Sequence, residues 1–336
     1  MKALVFTGPG SAEILEVPDP RARAGEAVIA IELAGICGTD TELFRGDMAY
    51  FAQGLAKYPL RPGHEWCGRV VEIGAGVNPE WLGLRVTGDT MLGCGQCARC
   101  LRNMHHVCEN RFEVGVRGGW PGALAERLVV PIASLYRLPD AVSAIAGAMV
   151  EPGGNAIRAV WACNIHEGDR VLVWGTATVG LLSALFARSF GADVTVVGRR
   201  AQPVEFARSL GLAATVEDSL PKSPFDAVID ATNGASVPDR ALRLVEPGGR
   251  ISLIGLAGRT SAIDTRDLVL KDVTAVGLLG ASAGLADTIA RYADGSVDPE
   301  PLVGRTVGLE EAIDVLAGTV LSASRPGPKT LVDPSK

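Results

Sequence analysis

The sequence predicts an α/β protein of two domains, a mostly antiparallel β domain followed by a doubly wound α/β domain with a parallel sheet. Over residues 1–152, short β-rich runs such as AVIAIELAGI alternate with glycine and proline, which is typical of an irregular β domain. From residue 153, strands and helices alternate, which indicates a parallel sheet covered on both faces. The length of 336 residues also favours two domains.

The elements of the first domain follow from period-2 patterns and turn residues. MKALVFTGPGSAEILEV predicts a strand, a glycine-rich turn and a second strand. GRVVEIGAGV and RLVVPIASLYRLP predict further strands. Near the end of the chain, EEAIDVLAG predicts a short amphipathic helix and TLVDP a last strand. A lone helix and strand cannot bury themselves, so we expect residues 293–336 to complete the first domain.

Residues 153–292 carry the pattern of a dinucleotide-binding domain. RVLVWGTATVGLLSALFARSFGADVTVVGRR predicts a strand, a glycine turn, an apolar helix and a strand. FDAVIDAT and RISLIGLAG predict later buried strands. DLVLKDVTAVGLLG supplies another strand, and LADTIARYADG predicts a helix that leads out of the domain.

Composition and charge narrow the class of partner. The chain is 47% apolar and 21% charged, as in globular proteins, and its net charge of −6 includes no long basic run. Nothing therefore favours nucleic acid or an anionic membrane as a partner, and a small-molecule substrate is expected. The sequence shows no secretory signal and no stretch of roughly 20 apolar residues, so we expect a soluble, cytoplasmic protein.

Four of the seven cysteines crowd into one short window with the spacing C-x2-C-x2-C-x7-C, namely Cys94, Cys97, Cys100 and Cys108. This spacing lets one loop place four thiolates tetrahedrally around zinc. Four ligands leave no position for substrate, so the ion would be structural. An iron–sulfur cluster and a disulfide-bonded or empty lobe are the alternatives. His105 and His106, inside the same loop, are interpreted as solvated residues.

A second set of candidate metal ligands is dispersed. Cys37 lies in AGICGTDTELF, and His64 and Glu65 lie in YPLRPGHEWCGRVVEIG. A thiolate, an imidazole and a carboxylate are what a catalytic zinc needs if one coordination position is to stay open. Singly, each residue has a structural explanation, because a free cysteine is usually buried in the core and a histidine after glycine often lies in a loop.

These motifs resemble one family over nearly the whole chain. CGTD, GHE, the four-cysteine lobe and a Rossmann-type half occur in this order in the zinc-dependent medium-chain alcohol and polyol dehydrogenases. The resemblance implies a GroES-like catalytic domain and a Rossmann domain. It also implies that Cys37 and His64 bind the catalytic zinc, with Glu65 as a ligand or an exchangeable neighbour of the ion. Glu151 of VEPGGNA would be the further ligand of the polyol and sugar branches.

The resemblance also implies roles around that ion. Asp40 would hold the ligand geometry, and Thr39 would share its hydroxyl with the substrate oxygen and relay the proton. Zinc would act as a Lewis acid on a carbinol whose hydride passes to the nicotinamide. Many family members carry histidine where this chain has Glu42, and CGTDxE resembles the glucose-dehydrogenase branch. Glu42 could relay protons, bond a sugar hydroxyl, or be a helix-start residue stabilised by the dipole.

The cofactor turn follows the strand RVLVW as G-x-A-x-x-G. Gly175, Ala177 and Gly180 are its fixed positions, and Val179, which precedes the last glycine, is also expected to contact the cofactor. The first glycine makes the tight turn, the last permits close packing of helix on strand, and the helix N-terminus faces the pyrophosphate. Ala177 adds a methyl group where the backbone normally approaches phosphate. Thr232, after the strand VID, is expected to line the nicotinamide side.

The second strand of this domain ends in Gly198, Arg199 and Arg200, where an NAD enzyme would carry Asp or Glu for the ribose 2′-hydroxyl. A guanidinium grips a 2′-phosphate that a carboxylate would repel. We therefore expect NADP, with NAD as the alternative. The alternative is that Arg199 and Arg200 have no role in cofactor binding and are simply solvated at the end of the strand.

Substrate and assembly are less determined by the sequence. Segments 44–58 and 117–120 and the region near residue 280 are expected to line the substrate pocket, with Tyr50 and Trp120 as possible core residues instead. The family implies a polar, vicinally hydroxylated alcohol, polyol or sugar-like substrate, and a homo-oligomer, dimer or tetramer. Ketone or aldehyde reduction in secondary metabolism is the alternative. Zinc-free quinone and enoyl reductases, and an inactive nucleotide-binding relative, are rivals that the metal motifs disfavour.

Overall fold

The structure, a computed structural model, describes residues 1–220, 223–256, 258–319 and 326–336. The chain divides into two units, Met1–Glu151 with Val303–Lys336, and Pro152–Leu302. The strands are β1 (Lys2–Gly8), β2 (Ser11–Glu16), β3 (Glu26–Ile36), β4 (Glu65–Ile73), β5 (Arg85–Gly88), β6 (Met91–Leu92), β7 (Phe112–Glu113), β8 (Arg127–Pro131), β9 (Leu135–Arg137), β10 (Arg170–Trp174), β11 (Asp193–Gly198), β12 (Ala213–Val216), β13 (Phe225–Asp230), β14 (Val245–Leu253), β15 (Thr274–Gly277), β16 (Val303–Val307) and β17 (Lys329–Val332).

The α-helices are short and fall mostly in the second unit. They are α1 (Gly38–Arg45), α2 (Ala49–Ala52), α3 (Ala144–Ala148), α4 (Val150–Ala162), α5 (Thr178–Ser189), α6 (Ala201–Ser209), α7 (Val237–Leu244), α8 (Thr265–Leu270), α9 (Leu285–Ala293) and α10 (Leu309–Ala317). Among the residues described, no helix combines the length and the apolar character that a bilayer crossing requires.

The first unit is built on a mixed, largely antiparallel sheet with the order β16-β17-β3-β4-β5-β9. β8 also pairs with β3, along the first part of that strand, whereas β17 pairs with its last residues. β3 and β4 form an antiparallel pair in which Gly35 lies opposite Glu65. β-Branched and other apolar residues of these strands fill one contiguous core, which includes Ile29, Val70 and Trp66. The predicted β domain is confirmed in architecture.

The tail of the chain completes this first unit. β17 pairs with β3 antiparallel and with β16 in parallel, so it is enclosed on both edges. α10 adds Leu309 and Leu316, each 1% exposed, to the same core. The last helix and the last strand are therefore part of the first unit.

The second unit contains a six-stranded parallel sheet with the order β12-β11-β10-β13-β14-β15. The strand order reverses between β10 and β13, and α/β folds of this kind bind dinucleotides at the carboxyl ends of the strands beside such a reversal. Buried residues of α7, including Val237 and Leu242, cover Leu172 and Val228 of the sheet. This is the predicted Rossmann architecture.

The second unit extends to Leu302, ten residues beyond the end at residue 292 that the sequence pattern predicts. The reason is the packing of α9. Tyr292 stacks on Phe186 with ring centroids 6.1 Å apart, and the guanidinium of Arg291 lies 4.0 Å from the centroid of the Phe190 ring. These contacts hold the turn after α9 against α5. The crossing back to the first unit therefore comes later than the hydrophobic pattern suggested.

The buried position of α10 makes a prediction about stability. Leu316→Ala should destabilise the first unit by about 2–5 kcal/mol, because it leaves a cavity in the core that the tail completes. Leu82→Ala removes the same atoms from a side chain in the same unit that is 48% exposed, and should cost less than about 1 kcal/mol. Urea unfolding of the three proteins measures both costs. Equal costs would contradict the placement of the tail in this core.

Candidate active site

The pairing of β3 with β4 brings the dispersed candidate ligands together. Cys37 follows the last residue of β3 and His64 precedes the first residue of β4, and the two strand ends lie opposite each other. Cys37 Sγ lies 3.2 Å from His64 Nε2. One ligand atom from each of Cys37, His64 and Glu65 falls within 4.8 Å of the other two. The antiparallel register therefore converts two separate motifs into one cluster.

Asp40 ties the two ligand loops to each other. Its carboxylate is fully buried and accepts hydrogen bonds from the backbone N–H of Cys37 at 2.9 Å and of Gly63 at 3.2 Å. One carboxylate oxygen also lies 3.7 Å from His64 Nδ1. Because Cys37 caps α1 and Asp40 is the third residue of that helix, the start of the helix fixes the carboxylate in place.

Protonation in this cluster has opposing causes. Burial raises the pKa of the Cys37 thiol above its usual value, although His64 opposes that effect. For His64, burial by itself would lower the pKa, but the charges of Cys37, Asp40 and Glu151 outweigh burial and raise the pKa. Both shifts favour the protonated form of the side chain. A divalent cation is the partner that would replace those protons, since metal ligands bind in the deprotonated state.

The donor set fits zinc. A thiolate sulfur, an imidazole nitrogen and a carboxylate oxygen are its common ligands, and three protein ligands leave a fourth position for substrate. His64 Nδ1 is buried without a hydrogen-bond partner among the described residues. That nitrogen lies 3.7 Å from the Asp40 carboxylate, slightly beyond hydrogen-bond distance, on the side where a carboxylate commonly orients a ligating histidine.

Lys329 is a residue of this site that the sequence analysis missed. Its ammonium group forms an ion pair with the Glu65 carboxylate, and the two side chains are 1% and 3% exposed. It also donates a hydrogen bond of 3.0 Å to the carbonyl of Ile36. Burial alone would lower the pKa of Lys329, but the charges of Glu65, Cys37 and Asp40 raise it. The available signal was a charged residue, Lys329, at the start of the short strand KTLV.

The remaining predicted catalytic residues, Glu151, Thr39 and Glu42, are not part of the cluster of three ligand atoms. Glu151, on the first turn of α4, is 7% exposed, and its charge contributes to the raised pKa of His64. It lies outside the group of three ligand atoms. Thr39 and Glu42 are partly buried on α1. Burial, followed by the charge of Asp47, raises the pKa of Glu42.

The four cysteines of the lobe lie close together, as their spacing predicted. The sulfur atoms of Cys94, Cys97, Cys100 and Cys108 all lie within 4.8 Å of one another. Hydrogen bonds from the backbone N–H groups of Gln96 and Cys97 lower the pKa of Cys94 to about 6, which favours the thiolate. Burial raises the pKa of Cys100 to about 11. A cation is needed for all four sulfurs to be ionised at such distances.

Other residues near these sites have structural contacts. His105 differs from its interpretation as a solvated residue. Its Nε2 lies 2.7 Å from Asp89 Oδ2, and its side chain is 35% exposed. Tyr50 donates a 3.0 Å hydrogen bond to Glu113, and the indole of Trp120 donates a 3.0 Å bond to the carbonyl of Val129. Cys67 is fully buried and contributes to the packing of the first unit.

The glycine turn after β10 has the geometry expected of a phosphate-binding turn. Gly175 has φ of +127°, a conformation that side chains disfavour, and a Cβ there would lie 2.9 Å from the carbonyl oxygen of Ala231. A Cβ on Gly180 would collide with the Gly175 carbonyl. Ala177 is the N-cap of α5 and Val179 lies in its first turn. Because the N-cap residue Ala177 has no side-chain acceptor, the first N–H groups of α5 receive no side-chain cap from it.

The ends of the neighbouring strands carry the other predicted cofactor residues. Gly198 is the last residue of β11, and a Cβ there would lie 2.7 Å from a methyl carbon of Thr176. Arg199 and Arg200 follow it and are both exposed. After β13, Thr232 donates hydrogen bonds to Asp230 from its backbone N–H at 2.9 Å and from its hydroxyl at 2.8 Å. These residues therefore lie at one edge of the parallel sheet.

Comparisons with known proteins agree with this architecture. Residues 23–140 match the family model described as the alcohol dehydrogenase GroES-like domain, and residues 178–294 match the model of zinc-binding dehydrogenases. An L-threonine 3-dehydrogenase of Thermococcus kodakarensis is 34% identical over 80% of this chain and 79% of its own. The corresponding enzyme of Pyrococcus horikoshii is 34% identical over 83% of both chains.

Solved structures give the same result. An alcohol dehydrogenase of Escherichia coli CFT073, complexed with NADH, aligns with a TM-score of 0.90 and 26% identity over 99% of both chains. A protein of Sinorhizobium meliloti 1021 named as a zinc-binding dehydrogenase, bound to NADP, aligns with a TM-score of 0.89 and 27% identity over 99% of both chains.

The chain therefore belongs to the zinc-dependent medium-chain alcohol and polyol dehydrogenases. The predicted enzyme class, an oxidoreductase acting on CH–OH groups, is confirmed, as is the fold of a GroES-like domain with a Rossmann domain. The family is a zinc-binding one.

The buried ion pair makes a prediction about the site. Lys329→Met should destabilise the protein by about 3–5 kcal/mol, because it leaves the Glu65 carboxylate buried without its counter-charge. Lys329→Arg keeps the charge and should cost less. The double variant Lys329→Met with Glu65→Gln should recover part of the loss. Thermal unfolding followed by circular dichroism measures all of these, and an unchanged midpoint for Lys329→Met would contradict the ion pair.

Proposed function

We propose that this protein transfers a hydride between the carbinol carbon of a polar, vicinally functionalised secondary alcohol and NADP. The observation that carries the proposal is the cluster of Cys37, His64 and Glu65, whose ligand atoms lie within 4.8 Å of one another beside the buried Asp40. The relatives named L-threonine 3-dehydrogenases support a substrate with a secondary hydroxyl next to other polar groups. A polyol or sugar-like compound fits the same description.

The proposed metal ligands are Cys37 and His64, with Glu65 or Glu151 completing the set. Zinc held there supplies a Lewis acid that lowers the pKa of an alcohol. Asp40 keeps the two ligand loops at a fixed separation and orients the His64 ring. Glu65 forms an ion pair with Lys329, and this competing partner favours Glu65 as an exchangeable ligand of the ion and not a permanent one. We place a second, structural zinc in the four-cysteine lobe.

Proton transfer is assigned to groups on α1. Thr39, partly buried next to Asp40, can accept the proton of the substrate hydroxyl and donate its own. Glu42, with a pKa raised by burial, lies one helical turn further along and can receive that proton or bond a second hydroxyl of the substrate. A carboxylate at this position suits a polyhydroxylated compound better than a simple alcohol.

The preference for NADP rests on the end of β11. Gly198, Arg199 and Arg200 stand where an NAD enzyme carries an acidic residue, and both arginines are exposed. Guanidinium groups at this edge of the sheet can bind a 2′-phosphate in a bidentate manner. The pyrophosphate is assigned to the N–H groups at the start of α5, which have no side-chain cap and lie next to Gly175 and Ala177. Val179, Gly180 and Thr232 would line the rest of the dinucleotide site.

A homo-oligomer is also proposed. β15 forms one edge of the parallel sheet, and among the described strands none pairs with its outer side. Nearby on α8, Val269 and Leu270 are 79% and 81% exposed. A free edge strand with apolar neighbours suits pairing with a second copy of the chain. Because the four-cysteine lobe requires reduced thiols, we place the protein in the cytoplasm.

The proposed activity is tested most directly by absorbance at 340 nm. NADP is incubated with a panel of polyols, sugars, cyclitols, L-threonine and simple secondary alcohols, and the reverse direction is assayed with NADPH and the matching ketones. Turnover of a vicinally hydroxylated or amino-substituted alcohol is expected. Preference for simple ketones would favour the reductase alternative instead.

The first prediction from this function concerns Cys37. Cys37→Ser should lower kcat by at least about a hundredfold and reduce bound zinc from two ions to one per chain, because a ligand of the reactive ion is lost while the cysteine lobe remains. The matched control is Cys67→Ala, which should keep both ions. Zinc is counted by atomic absorption. Full activity of Cys37→Ser would remove Cys37 from the metal site.

The second prediction concerns cofactor choice. Replacing Arg199 and Arg200 together with alanine should weaken NADPH binding by about tenfold or more and change NADH binding by less than about twofold, since only NADPH carries the 2′-phosphate. Arg208→Ala, which removes an exposed arginine of α6 paired with Glu205, is the control. Fluorescence titration with both cofactors measures the affinities. An equal loss for the two cofactors would contradict the phosphate-binding role.

A further inference from the structure

A charged cluster lies at the carboxyl edge of the parallel sheet in the second unit, and it consists of Trp174, Glu217 and Arg240. Arg240 Nη1 donates a 2.7 Å hydrogen bond to one carboxylate oxygen of Glu217. The indole N–H of Trp174 donates a 3.1 Å bond to the other oxygen. The guanidinium of Arg240 also lies 4.5 Å from the centroid of the Trp174 ring. Each carboxylate oxygen of Glu217 thus has its own donor.

The surroundings anchor this cluster. Trp174, the last residue of β10, is 1% exposed. The side chains of Glu217 and Arg240 are 21% and 37% exposed. A second arginine of α7, Arg243, pairs with Asp239 but has a side chain that is 71% exposed. Ion pairs at such an exposed position contribute little. The Arg240 pair is better shielded from solvent and is fixed by an aromatic surface as well.

The sheet register places Glu217 beside the predicted phosphate-binding residues. Gly198, the last residue of β11, pairs with Val216, the last residue of β12. Arg199 and Glu217 each follow directly after one of these two strands, and adjacent strands in a sheet lie roughly 5 Å apart. Burial by itself would raise the pKa of Glu217, but Arg240, Trp174 and Arg199 together lower it. Glu217 is therefore an anion next to Arg199.

The negative charge of Glu217 would disfavour the binding of a phosphate group next to it. If Arg199 binds the 2′-phosphate of NADP, the phosphate comes close to the carboxylate of Glu217. Two negative charges at such a distance repel each other, and partial burial weakens the screening by water. The same carboxylate would not disfavour NAD, which has a hydroxyl at that position. Cofactor choice then depends on whether the charge of Glu217 is neutralised.

We propose that Arg240 determines cofactor specificity indirectly, by neutralising Glu217 so that the 2′-phosphate of NADP can bind beside Arg199. Arg240 is then a positioning and charge-balancing residue, and it is not itself a ligand of the phosphate. The proposal rests on the proposed use of NADP. A residue of α7 would then help to select the 2′-phosphate, which binds near the ends of β11 and β12.

The test uses direct binding of NADPH and NADH to the full-length protein, followed by the fluorescence of the reduced nicotinamide. Arg240→Gln should weaken NADPH binding by roughly tenfold and NADH binding by less than about twofold. The double variant Arg240→Gln with Glu217→Gln removes both charges and should restore the NADPH affinity to within about threefold of the wild type. The effect of Arg240→Gln should also shrink as the salt concentration rises.

Arg243→Gln is the matched control on the same helix and should change neither affinity. The thermal midpoint of each variant shows whether it is folded. A double variant that binds NADPH as weakly as Arg240→Gln would overturn the proposal, because Arg240 would then contact the phosphate itself or act only through packing. An unchanged preference in Arg240→Gln would also overturn it. A wild-type protein that binds NADH more tightly than NADPH contradicts the proposed cofactor, which is a separate result.

Discussion

The antiparallel pairing of β3 with β4 is the constraint on which the active site depends. It places the end of one strand opposite the start of the other, with Gly35 against Glu65, so that Cys37 and His64 meet. Asp40 then joins the two loops through hydrogen bonds to their backbone N–H groups. A shift of register by one residue would move the side chains of β4 to the opposite face and disperse the cluster. The geometry at the ligands therefore rests on backbone pairing.

The sequence predicted the parts of the site that are local or recur in a motif. The four cysteines lie within one loop, so their spacing alone specified the lobe, and the glycine turn was recognisable between a strand and an apolar helix. CGTD and GHE identified Cys37, His64 and Glu65 as one group. Lys329 escaped because a lone lysine near the end of the chain has no spacing that relates it to Glu65. Only the pairing of β17 with β3 brings it there.

The same limit applies to the second unit. Helix and strand patterns predicted its parallel sheet, but not the interactions across the carboxyl edge. Glu217 follows a strand by one residue and looks like any solvated acid in the sequence. Arg240 lies on a helix among other charged residues. Their pairing over Trp174 follows from the strand order and from the packing of α7, which no local pattern encodes. The late unit boundary at Leu302 likewise reflects the stacking of Tyr292 on Phe186.

The insertion of residues 152–302 within the first unit has a consequence for biosynthesis. A ribosome makes the chain from its N-terminus, so every residue of the inserted unit is joined before Lys329 is. A nascent chain can assemble the parallel sheet while Glu65 still lacks its counter-cation and β3 lacks one neighbour. The first unit can be completed only after all residues of the second unit have been synthesised.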